Sequence, residues 1–174
     1  MGVDYMNYVL KNANIFDGKN NENIQKNMMV IIEDGKIKDI KQSNDDIGED
    51  YKIIDLKGQY LLPGLINLHA HLFGTGKPSK ALGGGSGQKL LVKFVNTSLG
   101  KPVIDSLVKK HVTTALNSGV TTIRSSGDFC FSDVRVRDKI NSGEIIGPIL
   151  IVPGPAITCV GGHGDGTFAV SNDD

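Results

Sequence analysis

A chain of 174 residues is long enough for one domain with a real core, or for a small domain followed by part of a larger one. Its 19 basic and 19 acidic residues cancel, so no net field argues for a nucleic-acid or membrane partner. A hydrophobic content of 39% excludes a disordered chain. Two cysteines, Cys130 and Cys159, are too few and too far apart for a disulfide framework. With no CxxC pair, a thiolate zinc site is not expected either. Cys159, inside the apolar segment 157–160, reads as a buried free thiol. No signal-peptide pattern and no apolar run of membrane-spanning length occur, so the expected location is cytoplasmic.

Residues 7–16 (NYVLKNANIF) read as a strand ending at the turn Asp17-Gly18. Residues 28–40 (MMVIIEDGKIKDI) read as a hairpin, because Met28–Ile32 is apolar and β-branched and Asp34-Gly35 suits a tight turn. A polar loop precedes YKIIDLKGQYLL at 51–62. The expectation is a small, β-sandwich-like unit over residues 1–62 and a second unit over 63–174.

After Pro63 the pattern changes. An apolar strand over 65–72 leads to a long loop carrying LGGGSG at 82–87. That loop lacks the Lys-Ser/Thr of a phosphate-binding loop, and it reads as a mobile cover. A helix is predicted from about Lys101 to Ser118. Pro102 sits in its first turn, Val103, Leu107, Val108, Val112, Ala115 and Leu116 form one stripe, and Gly119 follows its end. His111 falls on that helix and reads as structural. VTTIRSSG (120–127) is a strand, and SDVRVRDKINSG (132–143) is a helix with Ser132 as candidate N-cap and Gly143 past its end. GPILIVPGPAIT (147–158) is a further apolar strand. A β-α-β-α-β order with near-continuous apolar strands predicts a parallel α/β core covered on both faces.

The chemistry concentrates in LLPGLINLHAH, residues 61–71. On a strand, residues two apart share a face, so His69 and His71 project to one side and can reach one metal ion. Taken alone the pair has two readings: metal ligands, or strand-end imidazoles satisfied by ordinary hydrogen bonds. His163 in GGHGDG (161–166) likewise reads either as a substrate contact or as the surface histidine of a glycine-rich turn. Asp165 beside it reads as a turn residue. Arg124, at the end of the VTTI strand, reads first as a paired structural arginine and second as a group facing the site.

Three ordered segments resemble the amidohydrolase superfamily of metal-dependent hydrolases. They are EDGKIKDI (33–40) with LPGLINLHAH (62–71), then NSGVTTIRSSGD (117–128), then INSGEIIGPILIVPGPAIT (140–158) with GGHGDG. The last is most similar to the imidazolonepropionase-like and Xaa-Pro dipeptidase (prolidase)-like branch. The resemblance implies an α/β fold holding the first three βα units of a TIM (β/α)8 barrel, which needs roughly 250 residues when complete. It implies that His69 and His71 are ligands of zinc or another divalent metal, with one or two ions in the complete barrel. His163 and Arg124 become candidate substrate contacts. Asn67 departs from the pattern, which has an aspartate there. The implied reaction is hydrolysis of a C–N bond in a small amide, dipeptide or cyclic amide by water that the metal activates. The general base and the remaining ligands belong to later strands that this sequence does not contain. The isolated chain is therefore expected to be inactive, and to self-associate or meet a complementing C-terminal half. The alternative is a non-catalytic half-barrel module that assembles with a partner chain.

Overall fold

The structure, a computed structural model, describes residues 7–19, 24–48, 50–76, 86–162 and 169–170. The chain divides into two compact units, Met1–Pro63 and Gly64–Asp174.

The first unit is one five-stranded mixed sheet: β1 (Tyr8–Ile15), β2 (Gln25–Glu33), β3 (Lys36–Gln42), β4 (Lys52–Asp55) and β5 (Tyr60–Leu61). The order is β3-β2-β1-β4, with β5 also on β1. The β2–β3 hairpin turns at Asp34 (φ 50°) and Gly35 (φ 72°), two consecutive positive values that the Asp-Gly pair tolerates. Apolar residues alternate along β2. Met28 and Val30 pack with Ala13 and Ile15 on one face, while Met29 and Ile31 pack with Val9 on the other. A single sheet apolar on both faces thus stands where a sandwich-like unit is expected from the sequence. The segment 51–62 is split into β4 and β5 by a turn at Lys57 and Gly58, both at positive φ.

The second unit carries β6 (Leu65–Ala70), α1 (Ser86–Val95), α2 (Gly100–Asn117), β7 (Val120–Ser125), α3 (Ser132–Asn141), β8 (Ile149–Ile151), β9 (Ala156–Ile157) and β10 (Ala169–Val170). β6, β7 and β8 form a parallel sheet in that order, and β9 pairs in parallel with β10. Val108 and Val112 of α2 and Val136 of α3 pack on Ile123 of β7 and Leu150 of β8. Each fully buried valine contributes about 1.5 kcal/mol. A fork from Arg135 (Nε to Asp105 Oδ2 2.8 Å, Nη2 to Oδ1 2.6 Å) ties α3 to α2.

Several expectations for this unit are corrected. Helix α1 lies where the sequence reads only as loop, and the loop residues 77–85 lie outside the described residues. On α2 the inward residue of the first turn is Ile104, and Val103 is exposed. Ser132 is the first residue of α3 rather than its cap. Phe131, at φ 61°, holds the cap position and makes no side-chain cap bond. The strand expected over 147–158 breaks into β8 and β9 around Pro153, which has no N–H for a ladder. The sheet is not covered on both faces among the described residues: Leu65, Ile66, Leu68, Ile149 and Ile151 are exposed. α2 and α3 pack into one core cluster with Ile123 and Leu150, so both cover the same face. Cys159 is exposed, as are Ile157 and Val160 beside it, because apolar composition buries a segment only where a layer packs on it.

Candidate functional site

β6 runs through exposed apolar residues to His69 and Ala70, and His71 follows directly. The two imidazoles meet edge to face, with ring centroids 5.5 Å apart and planes at 85°. The two-residue spacing therefore does bring the rings together. His71 is half-buried and His69 exposed. His71 Nδ1 lies 2.9 Å from the Gly127 carbonyl oxygen. A carbonyl only accepts, so Nδ1 carries a proton, and in the neutral tautomer this selects, the lone pair is on Nε2. Phe73 backs the His71 ring at 5.8 Å between centroids and itself packs against buried Phe129 at 4.5 Å, with the two ring planes at 59°.

Asn67 turns back on its own strand, its Oδ1 accepting from the His69 amide at 3.1 Å. It behaves as a polar strand-end residue. Arg124 lies on β7 beside Ile151 and across from buried Ile123 in the strand alternation, on the face that α2 and α3 leave open. It is exposed and forms no ion pair among the described residues. His163 and Asp165 lie outside the described residues. His111, read from the sequence as structural, lies on α2 with its Nδ1 2.7 Å from the Leu72 carbonyl oxygen.

One group goes unnoticed in the sequence. Asp128 is fully buried, and its carboxyl accepts from the amides of Leu72 (2.9 Å, Oδ2) and Phe73 (3.1 Å, Oδ1), the two residues after His71. The Ser126 amide donates to the Ala70 carbonyl at 2.8 Å, so segment 126–128 holds segment 70–73 at four points. Each buried amide left without its acceptor would cost about 1–3 kcal/mol. Burial pushes the Asp128 carboxyl up to about 7, and the nearby Asp133 charge adds to the shift against the pull of three backbone amides. Asp133, also fully buried, accepts from the Gly154 amide at 3.2 Å. Gly154 in turn accepts from the Asp128 amide at 3.1 Å, which links the ends of β7 and β8. The Ser132 hydroxyl is buried without a hydrogen-bond partner among the described residues.

Two imidazoles, one with its tautomer set by a backbone carbonyl, suit a divalent ion such as zinc, since metal-bound histidines commonly donate the other ring N–H to a carbonyl or carboxylate. The donor set fits as part of a site. Among the described residues, no group of three or more histidine, cysteine, aspartate or glutamate side chains is placed to hold a metal.

The sequence profile of the amidohydrolase family matches residues 60–171, which takes in β6 through β10 and both histidines. The chain belongs to the amidohydrolase family. An imidazolonepropionase of Clostridium tetani is 29% identical over 173 residues, covering 80% of this amidohydrolase chain and 41% of the relative. A 5-methylthioadenosine/S-adenosylhomocysteine deaminase of Acetivibrio thermocellus is 27% identical over 140 residues, covering 74% and 29%. A Xaa-Pro dipeptidase solved with methionine in its active site superposes with a TM-score of 0.74 at 29% identity, covering 97% of this chain and 38% of that one. The chain thus spans well under half the length of these relatives. No helix among its described residues is long and apolar enough to cross a membrane.

Proposed function

We propose that this amidohydrolase chain forms the first three βα units of a metal-dependent TIM-barrel hydrolase, preceded by its small β unit, that cleaves C–N bonds in a small amide, dipeptide or cyclic amide. The observation that carries the reading is the edge-to-face pair of His69 and His71 at the end of β6, with His71 Nδ1 held by the Gly127 carbonyl. The names of the relatives, an imidazolonepropionase and a Xaa-Pro dipeptidase among them, support that bond class.

His69 and His71 would hold the metal, zinc or another divalent ion, as two ligands of a larger set. When bound, the metal supplies the Lewis acidity that activates water and polarises a carbonyl. The chain's own residues do the rest. The Gly127 carbonyl keeps the proton on Nδ1 of His71, and Phe73 limits the ring's rotation from behind. We assign Arg124, on the open face of the sheet, to an anionic group of the substrate, and His163 is the second candidate contact.

The exposed Leu65, Ile66, Leu68, Ile149 and Ile151 favour a partner layer, which we assign to a complementing C-terminal half of the barrel or, failing that, to a second copy. Sedimentation at rising concentration reads this directly, and a strictly monomeric chain that binds no added C-terminal half would remove the assignment.

Zinc titration of the 174-residue chain, with elemental analysis and a dipeptide hydrolysis assay, tests the metal reading. Weak zinc uptake without turnover is expected, with uptake lost in the His69→Ala/His71→Ala double variant. Equal uptake by that variant would overturn the histidine assignment, and turnover with stoichiometric metal would overturn the incompleteness of the site.

A further inference from the structure

We propose that Asp128 is a positioning residue for His71: its two carboxyl oxygens pin the turn that follows the histidine, and so set the direction in which the imidazole presents Nε2. The inference rests on the reading of His71 as a ligand for its purpose, though not for its geometry.

Four observations carry it. Asp128 is buried to 0% exposure, so water does not compete for its oxygens. Oδ2 takes the Leu72 amide at 2.9 Å and Oδ1 the Phe73 amide at 3.1 Å, which spends one oxygen on each of two consecutive N–H groups. The neighbouring Gly127 carbonyl takes His71 Nδ1 at 2.9 Å, so one peptide of the 127–128 pair addresses the ring and the other residue addresses the backbone beyond it. Finally, Phe73, whose amide Asp128 holds, is the residue whose ring backs His71. A single carboxyl thereby fixes both the backbone after His71 and the aromatic wall behind it.

A carboxylate meets this demand with both oxygens, and the protonated carboxyl still keeps an accepting lone pair on its hydroxyl oxygen. An asparagine offers one acceptor oxygen and turns an N–H₂ toward the other amide, and alanine offers none. Histidine ligands are commonly oriented by such outer contacts, and removing one typically weakens metal binding about 10–100-fold.

The test reads the ring itself, with or without metal. Long-range ¹⁵N–¹H spectra of the full chain are expected to show His71 as the Nδ1–H tautomer. In Asp128→Ala it should move to the Nε2–H mixture of a free imidazole, while methyl signals of Ile123, Val136 and Leu150 keep their positions. A retained Nδ1–H tautomer in that variant overturns the proposal. If Asp128→Ala does not fold, Asp128→Asn carries the test. There, one of the Leu72 and Phe73 amides should lose its exchange protection and the tautomer should become mixed, and wild-type exchange at both with an unchanged tautomer overturns the proposal.

Zinc titration then separates the two readings. About 10–100-fold weaker zinc binding in Asp128→Asn supports both. A wild-type chain with a fixed tautomer that binds no zinc sinks the metal assignment and leaves the positioning role standing. Equal zinc affinity in wild type and Asp128→Asn overturns the positioning role.

Discussion

Raising the pH from 4 to 8 is expected to cost the second unit about 4 kcal/mol of folding stability through Asp128 alone. The carboxyl moves from its ordinary 3.8 to about 7 on folding, a change of about three units at about 1.36 kcal/mol each. The sign is opposite to that of a salt-bridged carboxylate. A group that holds its proton more tightly when folded stabilises fully below the unfolded value, and that stabilisation is lost as pH rises through about 7. The physical cause is the cost of a charge on a side chain buried away from solvent, next to a second buried carboxyl at Asp133. Three backbone amides pull the other way and lose.

Denaturant titrations at a series of pH values, in wild type and Asp128→Asn, isolate the effect. The wild-type curve should fall between pH 4 and 8, and the variant should be flatter by most of that amount. Parallel curves would show that Asp128 is not the group responsible. The same titration bears on the site, because it is the Asp128 side chain that loses its proton while holding Leu72 and Phe73.

Which features the sequence discloses depends on how local their causes are. The Asp34-Gly35 turn is legible because two adjacent positive φ angles are a property of those two residues. Helix α2 is legible at both ends: Pro102 needs no donor in a first turn, and Gly119 takes φ 90° after the last. The histidine pair is legible because strand alternation alone puts both rings on one side. Asp128 is different. After a glycine it reads as a turn residue, and its role depends on amides 55 and 56 positions away, which no local pattern announces.

Helix α1 was obscured by its neighbour. Gly83, Gly84 and Gly85 dominate the reading of that stretch, yet Leu91 and Val95, four apart, pack with Ile104 and Phe129 as one side of a helix. The same four-residue spacing could have identified it. Apolar content misled in the opposite direction at Ile157, Cys159 and Val160. Hydrophobicity states a preference for burial, and only a covering layer fulfils it.

Gly127→Ala is expected to destabilise the second unit by about 3 kcal/mol and to release His71 in the same step. Gly127 sits at φ 125°, a backbone conformation that L side chains rarely adopt, which costs about 1–3 kcal/mol. An added Cβ would also lie 2.6 Å from Ala156 Cβ and 3.0 Å from Ala156 N, on β9. Backbone cannot move aside as a flexible side chain tip can, so overpacking adds about 1–3 kcal/mol. Gly119→Ala is the control. It carries φ 90° with nothing within 4 Å of the added Cβ, so strain acts there without a clash. Its loss should be about 1 kcal/mol, in the range set by backbone conformation alone. Denaturant midpoints of the two variants give the comparison, and equal losses would show that contact with Ala156 does not constrain the turn. The Gly127 carbonyl is the acceptor for His71 Nδ1, so a shift of that peptide should also change the His71 tautomer, whereas Gly119→Ala should leave it untouched. The one position without a side chain in the 126–128 turn is thus where close packing, backbone strain and the presentation of a candidate metal ligand meet.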